Sequence, residues 1–283
     1  MTDATVTARP AFRRSSLDRI VQVTGPATSA LIALIILSIY NAFATNNFLA
    51  WSTLRVNLSQ ISTVVLVAVG MTLVIATGGI DLSVGSLMAI AGVISPMIFL
   101  SDRQLLQHNW IAYPLAFLVP VLVAGAFGSF TGVLVTKFQI QPIITTLVLF
   151  LAGRGIAGAL VHGKLREFNN TTMEFIGQGR IFGIPMQVYL MIIVVIVASW
   201  AMRTTTYGRY VLATGGNEAA ARLAGVPVNR VRLMVYTISG LLCGVAGLIV
   251  IARLSSADPV NIGLNMELDA IAAAAVGGTV LTG

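Results

Sequence analysis

Long apolar runs recur along this chain with short polar stretches between them, and they constrain its fold more than any other feature. An α-helix needs about 20 apolar residues to cross the hydrocarbon core of a bilayer. Runs near that length predict eight spans, over residues 26–44, 58–77, 82–101, 111–136, 140–160, 187–202, 231–254 and from 268 onward. We therefore expect an all-α, polytopic transmembrane helical bundle.

The composition supports a membrane protein over a soluble one. Of the 283 residues, 57% are hydrophobic and only 10% are charged, whereas a soluble domain averages about 25% charged residues. One water-soluble core cannot hide that much apolar surface, so residues 26–283 are expected to form a transmembrane domain. The single cysteine, Cys243, lies inside an apolar run and is expected to be a small core residue.

The basic residues are concentrated in two places, which predicts an orientation. Residues 1–25 form a basic N-terminal segment, and the stretch 203–230 with its flank is also rich in arginine. Cytoplasmic loops carry an excess of Lys and Arg, so both regions are expected in the cytoplasm, and counting spans then places 45–57, 102–110, 161–186 and 255–269 outside. Three basic residues in 161–186 weaken this agreement. The net charge of +7 thus reflects topology, and no basic patch interleaved with aromatic residues indicates nucleic acid.

The surrounding sequence argues against each candidate motif for nucleotide binding, metal binding or catalysis. GRGIAG, at 153–158, has dinucleotide-binding spacing, and GALVHGKL, at 158–165, nearly matches a phosphate-binding loop. Both lie in or at the end of an apolar run, where the strand-to-helix setting that such motifs need is missing. His108 and His162 lie in separate loops without metal-ligand spacing. We expect no enzyme activity, no metal site and no cofactor bound by this chain.

A short helix with clear boundaries is predicted inside the second basic region, which reads TGGNEAAARLAGVP over 214–227. Asn217 is a favoured N-cap, and Glu218 stands where the helix dipole favours an anion. Gly225 suits a left-handed C-terminal cap, and Pro227 prevents continuation. A helix of about two turns is marginal by itself in water. It is either a connector on the membrane surface or a docking helix for a cytoplasmic subunit.

Asp81 stands between two glycine-rich turns, in ATGGIDLSVGS, where two apolar runs meet. An acid at bilayer depth is a candidate substrate ligand or proton relay. The interpretation we favour is a helix cap: Gly78 and Gly79 end one helix, and Asp81 or Ser83 caps the next. The joint is expected at the membrane boundary, where water shares the charge.

Glycines four residues apart occur twice, as Gly128 with Gly132 and Gly240 with Gly244. Small residues at this spacing let membrane helices approach closely. Static close packing is favoured over a moving helix interface.

Four segments carry a resemblance to a known family: GMTLVIATGGIDLSVGS (70–86), KFQIQPIITTLVLFLAGRG (137–155), TTYGRYVLATGGNEAAARLAGV (205–226) and ELDAIAAAAVGGT (267–279). Together they resemble the membrane permease subunits of bacterial ATP-binding-cassette importers for ribose, arabinose, xylose and galactofuranose. The finer resemblance is to the galactofuranose permease. It implies that this chain forms the translocation pathway for a pentose or hexose across the bacterial inner membrane.

The resemblance also implies partners. These are a cytoplasmic ATPase subunit that binds ATP and Mg²⁺, a periplasmic sugar-binding protein and a second permease subunit within the lipid bilayer. The residues expected to contact the ATPase are Gly216, Glu218, Ala219, Ala220, Arg222, Leu223 and Gly225.

The sugar path is assigned less directly. Candidates are Asn261 and Asn265 in the polar stretch 255–269, which is either an ordinary outer loop or part of the sugar entrance, together with Asp81. Family members usually have about ten spans and continue past the GGT motif, so the chain is expected to be truncated at its C-terminus. The alternative function is a secondary transporter coupled to H⁺ or Na⁺ through intramembrane carboxylates such as Asp81.

Overall fold

The structure, a computed structural model, describes residues 26–100 and 109–279. Its helices are α1 (Pro26–Ala44), α2 (Trp51–Ile75), α3 (Val84–Phe99), α4 (Asn109–Lys137), α5 (Pro142–Leu160), α6 (Thr171–Gln178), α7 (Met186–Thr204), α8 (Thr206–Gly216), α9 (Glu218–Leu223), α10 (Val228–Leu254) and α11 (Met266–Val276). Four two-residue strands accompany them: β1 (Arg166–Glu167), β2 (Arg180–Ile181), β3 (Ile184–Pro185) and β4 (Ser256–Ala257). The predicted basic segment 1–25 lies outside the described residues.

The all-α bundle is confirmed, and each of the eight predicted spans contains a helix over all or part of its length. Five helices are long and apolar enough to cross a membrane: α2, α4 from residue 111, α5, α7 and α10. Residues 30–44 and α3 form shorter apolar helices. The expectation of a full span from residue 268 is corrected in part, because α11 has 11 residues, or about 16 Å, against a hydrocarbon core of about 30 Å.

Helix α10 lies at the centre of the bundle and packs against α2, α3 and α4. Its glycines permit this, since a Cβ built on Gly240 would lie 2.5 Å from the carbonyl oxygen of Ala124 and 3.1 Å from the Cα of Gly128. A Cβ on Gly244 would likewise lie 2.9 Å from the Cα of Val121. The predicted close packing of these glycine pairs is therefore present between α4 and α10.

Other helices turn large apolar side chains outward. Ile193 and Trp200 on α7 are more than half exposed, as are Leu34 on α1 and Leu151 on α5. Such surface is stable next to lipid or another apolar surface, not water. The bundle is therefore buried along α10 and apolar around its rim.

Two stretches that topology places outside meet at one end of the bundle. Strand β1 pairs antiparallel with β4, with Arg166 opposite Ala257, and the backbone N–H of Phe168 donates to the carbonyl of Ser255 at 3.1 Å. The inner joints meet at the other end, where the guanidinium of Arg232 donates to the carbonyl of Thr77 at 3.4 Å. Both meetings agree with the predicted grouping of these stretches at two opposite ends of the bundle, and which end is cytoplasmic stays a prediction.

Several local predictions need correction. Helix α2 begins at Trp51, within the stretch expected to be a loop up to residue 57. The outer stretch 161–186 contains α6, which is capped by the side chain of Asn170 through the N–H groups of Thr172 and Met173. The inner stretch contains α8 in addition to the predicted short helix.

Candidate functional site

The predicted short helix is present as α9 on the inner face, and local sequence sets both of its ends. The side-chain oxygen of Asn217 accepts the N–H of Ala220 at 2.9 Å. Gly225 has a φ of +81°, a left-handed conformation that glycine adopts without a Cβ penalty. The N–H of Val226 donates to the carbonyl of Ala221 at 2.9 Å. The caps predicted at Asn217 and Gly225 are thus confirmed.

One ion pair and one hydrogen bond join α9 to the start of α10. The Glu218 carboxylate lies 2.8 Å from the guanidinium of Arg222 and 2.7 Å from that of Arg232. Arg222 also donates to the side-chain oxygen of Asn229 at 2.8 Å. The hydrogen bond from Arg222 is the main cause that lowers the pKa of Glu218, burial opposes it and Arg232 lowers it further. Glu218 therefore stays ionised at neutral pH and holds a helix too short to be stable alone.

The outward face of α9 is small and apolar. The Leu223 side chain is 91% exposed, and Ala219, Ala220 and Ala224 are exposed around it. Nothing lies within 4 Å of a Cβ built on Gly216. The exposed leucine and the alanines around it thus form a small apolar surface on α9.

Behind α9 lies a polar cavity of about 300 Å³ that reaches the joints between helices. It is lined by Gly78, Val135, Thr136, Gln139, Ile140, Gln141, Pro142, Glu218, Arg222, Asn229 and Arg232. The arginine that pairs with Glu218 is the one that donates to Thr77, immediately before the glycines of the α2–α3 joint. Arg232 therefore contacts both α9 and that joint.

Asp81 lies within this joint and is 1% exposed. Its carboxylate accepts the backbone N–H and the hydroxyl of Ser83 at 2.9 and 2.6 Å, and the hydroxyl of Ser239 at 3.1 Å. Ser83, the residue that precedes α3, makes no side-chain cap bond itself. Asp81 thus satisfies a backbone group at the start of α3, as the cap interpretation expects.

The expectation that water shares the charge of Asp81 is wrong. Ser239 follows the first residue of α10, Val228, by eleven residues, or about 16 Å along the helix. The joint is therefore recessed below the inner end of α10, and serine hydroxyls replace water around the carboxylate.

An ordinary loop would stay at the outer end of the bundle. The stretch after β4 instead runs inward along the bundle. A Cβ built on Gly263 would lie 2.7 Å from the carbonyl oxygen of Gly85, near the start of α3, and 3.1 Å from the Cβ of Met88. Gly247, seven residues before the end of α10, contacts the same Met88. The stretch thus descends about 10 Å before α11 begins at Met266.

The two asparagines predicted in the sugar path flank this descent. Asn261 is exposed, and its amide donates to the Asp258 carboxylate at 2.6 Å. Burial would raise the pKa of Asp258, but hydrogen bonds from Val260 and Asn261 lower it below its ordinary value. Asn265 is exposed with a φ of +60°. Asn261 and Asn265 lie on one inward-turning segment, whereas Asp81 lies in the recessed α2–α3 joint, four residues before the Gly85 that this segment contacts.

Arg154 holds the descending segment, a role that sequence reasoning did not assign. Its guanidinium donates to the carbonyls of Val260 at 3.0 Å and Pro259 at 3.4 Å, and also to that of Ile262. Glu267 is 8% exposed, and its Oε2 has no hydrogen-bond partner within the described ranges. Ionisable residues inside predicted spans are a default signal of a functional site. That signal could have found Arg154, which lies in the predicted span 140–160, but not Glu267, which precedes the span expected from residue 268.

Comparison with known families decides the class of the protein. Residues 53–283 match the family described as "Branched-chain amino acid transport system / permease component". The chain belongs to this permease family.

Named relatives of the permease are sugar transport proteins. The ribose import permease protein RbsC of Escherichia coli strain K12 is 40% identical over 288 residues, which cover 100% of this chain and 84% of the relative. The galactofuranose transporter permease protein YtfT of the same strain is 38% identical over 226 residues, covering 80% and 64%. The L-arabinose ABC transporter permease protein AraH of Azospirillum brasilense is 30% identical over 274 residues, covering 97% and 77%. No solved structure matches the permease.

These findings confirm the predicted family and a multi-pass membrane protein. They do not assign roles to single residues of the permease, so the ATPase-contact and sugar-path residues stay predictions. Within the described ranges, no group of three or more His, Cys, Asp or Glu side chains could hold a metal ion.

Proposed function

We propose that this permease is the membrane-spanning subunit of an ATP-binding-cassette importer for a monosaccharide in the bacterial inner membrane. Ribose, galactofuranose and L-arabinose appear in the names of its relatives, which supports a pentose or hexose as substrate. Its partners would be a cytoplasmic ATPase subunit carrying ATP and Mg²⁺, a periplasmic sugar-binding protein and a second permease subunit.

The observation that carries the ATP-driven function is the construction of α9. Its outward surface is Ala219, Ala220 and the exposed Leu223, and its inward side is the ion pair of Glu218 with Arg232. An exposed apolar anchor and a preorganised position of the helix both favour the binding of another protein. A helix that only connects two spans requires neither. Glu218 and Arg222 would position the helix, Asn217 and Gly225 would set its ends, and Gly216, the last residue of α8, would lie beside its start.

The same construction supports a route for coupling. A force on α9 reaches Arg232, whose guanidinium contacts both Glu218 and the carbonyl of Thr77. From there the α2–α3 joint leads to Asp81 and its bond with Ser239 on the central helix α10. Contiguous polar contacts of this kind can carry energetic coupling between two sites.

At the outer side, the descending segment supports a sugar path. Irregular backbone inside a membrane protein is tolerated where protein surrounds it or where it lines a cavity. Asn265 at the tip of this segment and Asn261 near its start carry amides that can bond sugar hydroxyls. Arg154, by holding three carbonyls of the segment, would position these amides.

The alternative, a carrier driven by H⁺ or Na⁺, rests on the buried carboxylate of Asp81. That carboxylate is already hydrogen-bonded to Ser83 and Ser239 and is 1% exposed. An ion-coupling acid needs access from both sides in turn, which favours the structural role here.

Reconstitution tests the proposal. The permease would be placed in liposomes with its candidate ATPase and sugar-binding protein, and uptake of labelled ribose, arabinose and galactose would be measured. We expect uptake only with ATP on the ATPase side and with the binding protein present. Uptake that needs a proton or sodium gradient and no ATP would establish the carrier instead.

A further inference from the structure

A second cavity, of about 460 Å³, opens at the outer end of the bundle, remote from α9. It lies between the start of α2, the end of α6, the β2–β3 hairpin and the end of α10. Its lining consists of Ser52, Arg55, Val56, Ser59, Gly177, Gln178, Arg180, Pro185 and Arg253. Neither the transport path nor the docking helix uses it.

Specific contacts between helix ends, and not loose packing, form the walls of this cavity. A Cβ on Gly177 would collide with the backbone of Ala252, so α6 lies directly against the end of α10. The Gln178 amide donates to the carbonyl of Arg253 at 3.3 Å, and Gln187 donates to the carbonyl of Gly177. These contacts join the end of α6 to the end of α10 and to the start of α7, which directly follows the hairpin.

Its charge is entirely positive. Arg55, Arg180 and Arg253 line it, and no Asp or Glu does. Throughout residues 26–100 and 109–279, none of the three forms an ion pair with a carboxylate. The Nη1 atom of Arg253 is buried and has no hydrogen-bond partner in that part of the chain. A buried guanidinium nitrogen without an acceptor is costly, and an anion in the cavity would supply the acceptor.

The position of the cavity indicates where the anion comes from. Arg55 lies in the second turn of α2 and Arg253 in the last turn of α10, both at the outer ends of spanning helices. Leu54 and Ile61 lie one above the other on α2 and are 44% and 51% exposed. These two side chains form an apolar strip that runs along α2 from beside the basic concavity at the predicted outer end of the bundle.

We propose that this cavity binds the phosphate group of a phospholipid from the outer leaflet of the membrane. Arginine forks match phosphate oxygens in geometry and charge, and three of them supply the donors that one phosphate needs. The adjacent strip on α2 accommodates the acyl chain. The bound lipid would join α2, α6, the hairpin and α10, and so steady the outer end of the permease.

Native mass spectrometry of the full chain in mild detergent tests the proposal. Phosphatidylglycerol is titrated against the permease and against a variant carrying Arg55→Gln, Arg180→Gln and Arg253→Gln. We expect the apparent affinity of the variant to fall by about tenfold or more, since each arginine makes a charge-assisted bond. A variant with Arg203→Gln, Arg209→Gln and Arg230→Gln changes the net charge equally at exposed inner positions and should retain the lipid.

A second variant keeps the test valid if the triple variant folds poorly. Ser52→Trp leaves all three arginines in place and fills the mouth of the cavity, so it should also lose phosphatidylglycerol. Equal retention of the lipid by Ser52→Trp and a folded triple variant would overturn the proposal. Inorganic phosphate that displaces the lipid at similar concentrations would show a free anion site instead. The proposal would also be overturned if the three arginines raised the affinity of the permease for an acidic periplasmic protein but not for phosphatidylglycerol.

Discussion

The carboxylate of Glu218 lies 2.7 Å from the guanidinium of Arg232, and this ion pair joins the exposed helix α9 to the central helix α10. The same guanidinium donates to the carbonyl of Thr77 beside the joint that holds Asp81. One arginine thus contacts both the proposed docking helix and the recessed joint.

Glu218→Lys is expected to abolish co-purification of the ATPase while membrane insertion stays normal. The new lysine faces Arg222 and Arg232, so two attractive contacts become repulsive. Helix α9 is then no longer held against the start of α10. The measurement is recovery of the tagged permease in the membrane together with recovery of the ATPase bound to it. Glu174→Lys is the matched control, since it changes a glutamate in the first turn of another short helix, α6, on the outer face. Equal recovery of the ATPase with both variants would contradict the docking role of α9.

Gly225→Pro is expected to have the same effect through the other end of the helix. Gly225 has a φ of +81°, whereas proline holds φ near −65° and has no N–H to donate to Arg222. Gly225→Asn is the control, because asparagine tolerates the left-handed conformation. ATPase recovery should fall for proline and persist for asparagine. The idea fails if the proline variant binds the ATPase as well as the wild type does.

Leu223→Asp tests the contact surface directly. The side chain is 91% exposed, so the change should leave thermal unfolding of the isolated permease unaltered. A central apolar anchor is worth about 2 kcal/mol at an interface, so ATPase affinity should fall by roughly 30-fold. Titration of the purified ATPase against the permease measures this. Leu223→Met, which keeps an apolar side chain of similar size, should bind nearly normally, and unchanged affinity of the aspartate variant would show that the ATPase binds elsewhere.

Sequence alone predicts α9 well because its determinants are local. Asn217 and Gly225 fix its ends through neighbours within four residues, and no distant contact is needed for that. The descent of the outer segment could not be predicted in this way. It depends on Gly263 meeting Gly85 and on Arg154 meeting carbonyls more than a hundred residues away in sequence. Polar composition indicated only a loop, since an ordinary loop and an inward-turning segment share the same residue types.

The glycine contacts between α4 and α10 lead to a stability prediction. Gly240→Val would place carbon atoms against the backbone of Ala124 and Gly128, and overpacking of this kind costs about 1–3 kcal/mol or more. The melting temperature in detergent should therefore fall clearly. Gly155→Val on α5 is the control, because nothing lies within 4 Å of a Cβ there. Equal melting temperatures would show that α4 and α10 do not pack through these glycines.

Asp81→Asn is expected to fold and to retain most sugar uptake. The amide oxygen can still accept the N–H and hydroxyl of Ser83, and the amide nitrogen can donate to the hydroxyl oxygen of Ser239. Uptake in reconstituted liposomes and monodisperse yield after solubilisation are the two measurements.

Asp81→Leu should instead lose folding yield. It leaves the N–H of Ser83 and the hydroxyls of Ser83 and Ser239 without this acceptor in a site that is 1% exposed, and each unsatisfied group costs about 1–3 kcal/mol. Asp269→Leu, which removes an exposed aspartate on α11, should fold normally. If Asp81→Asn folds fully yet transports nothing, the charge itself is required. Asp81 would then be an ion-coupling or substrate-binding acid, and the account of Asp81 as a helix cap would be wrong.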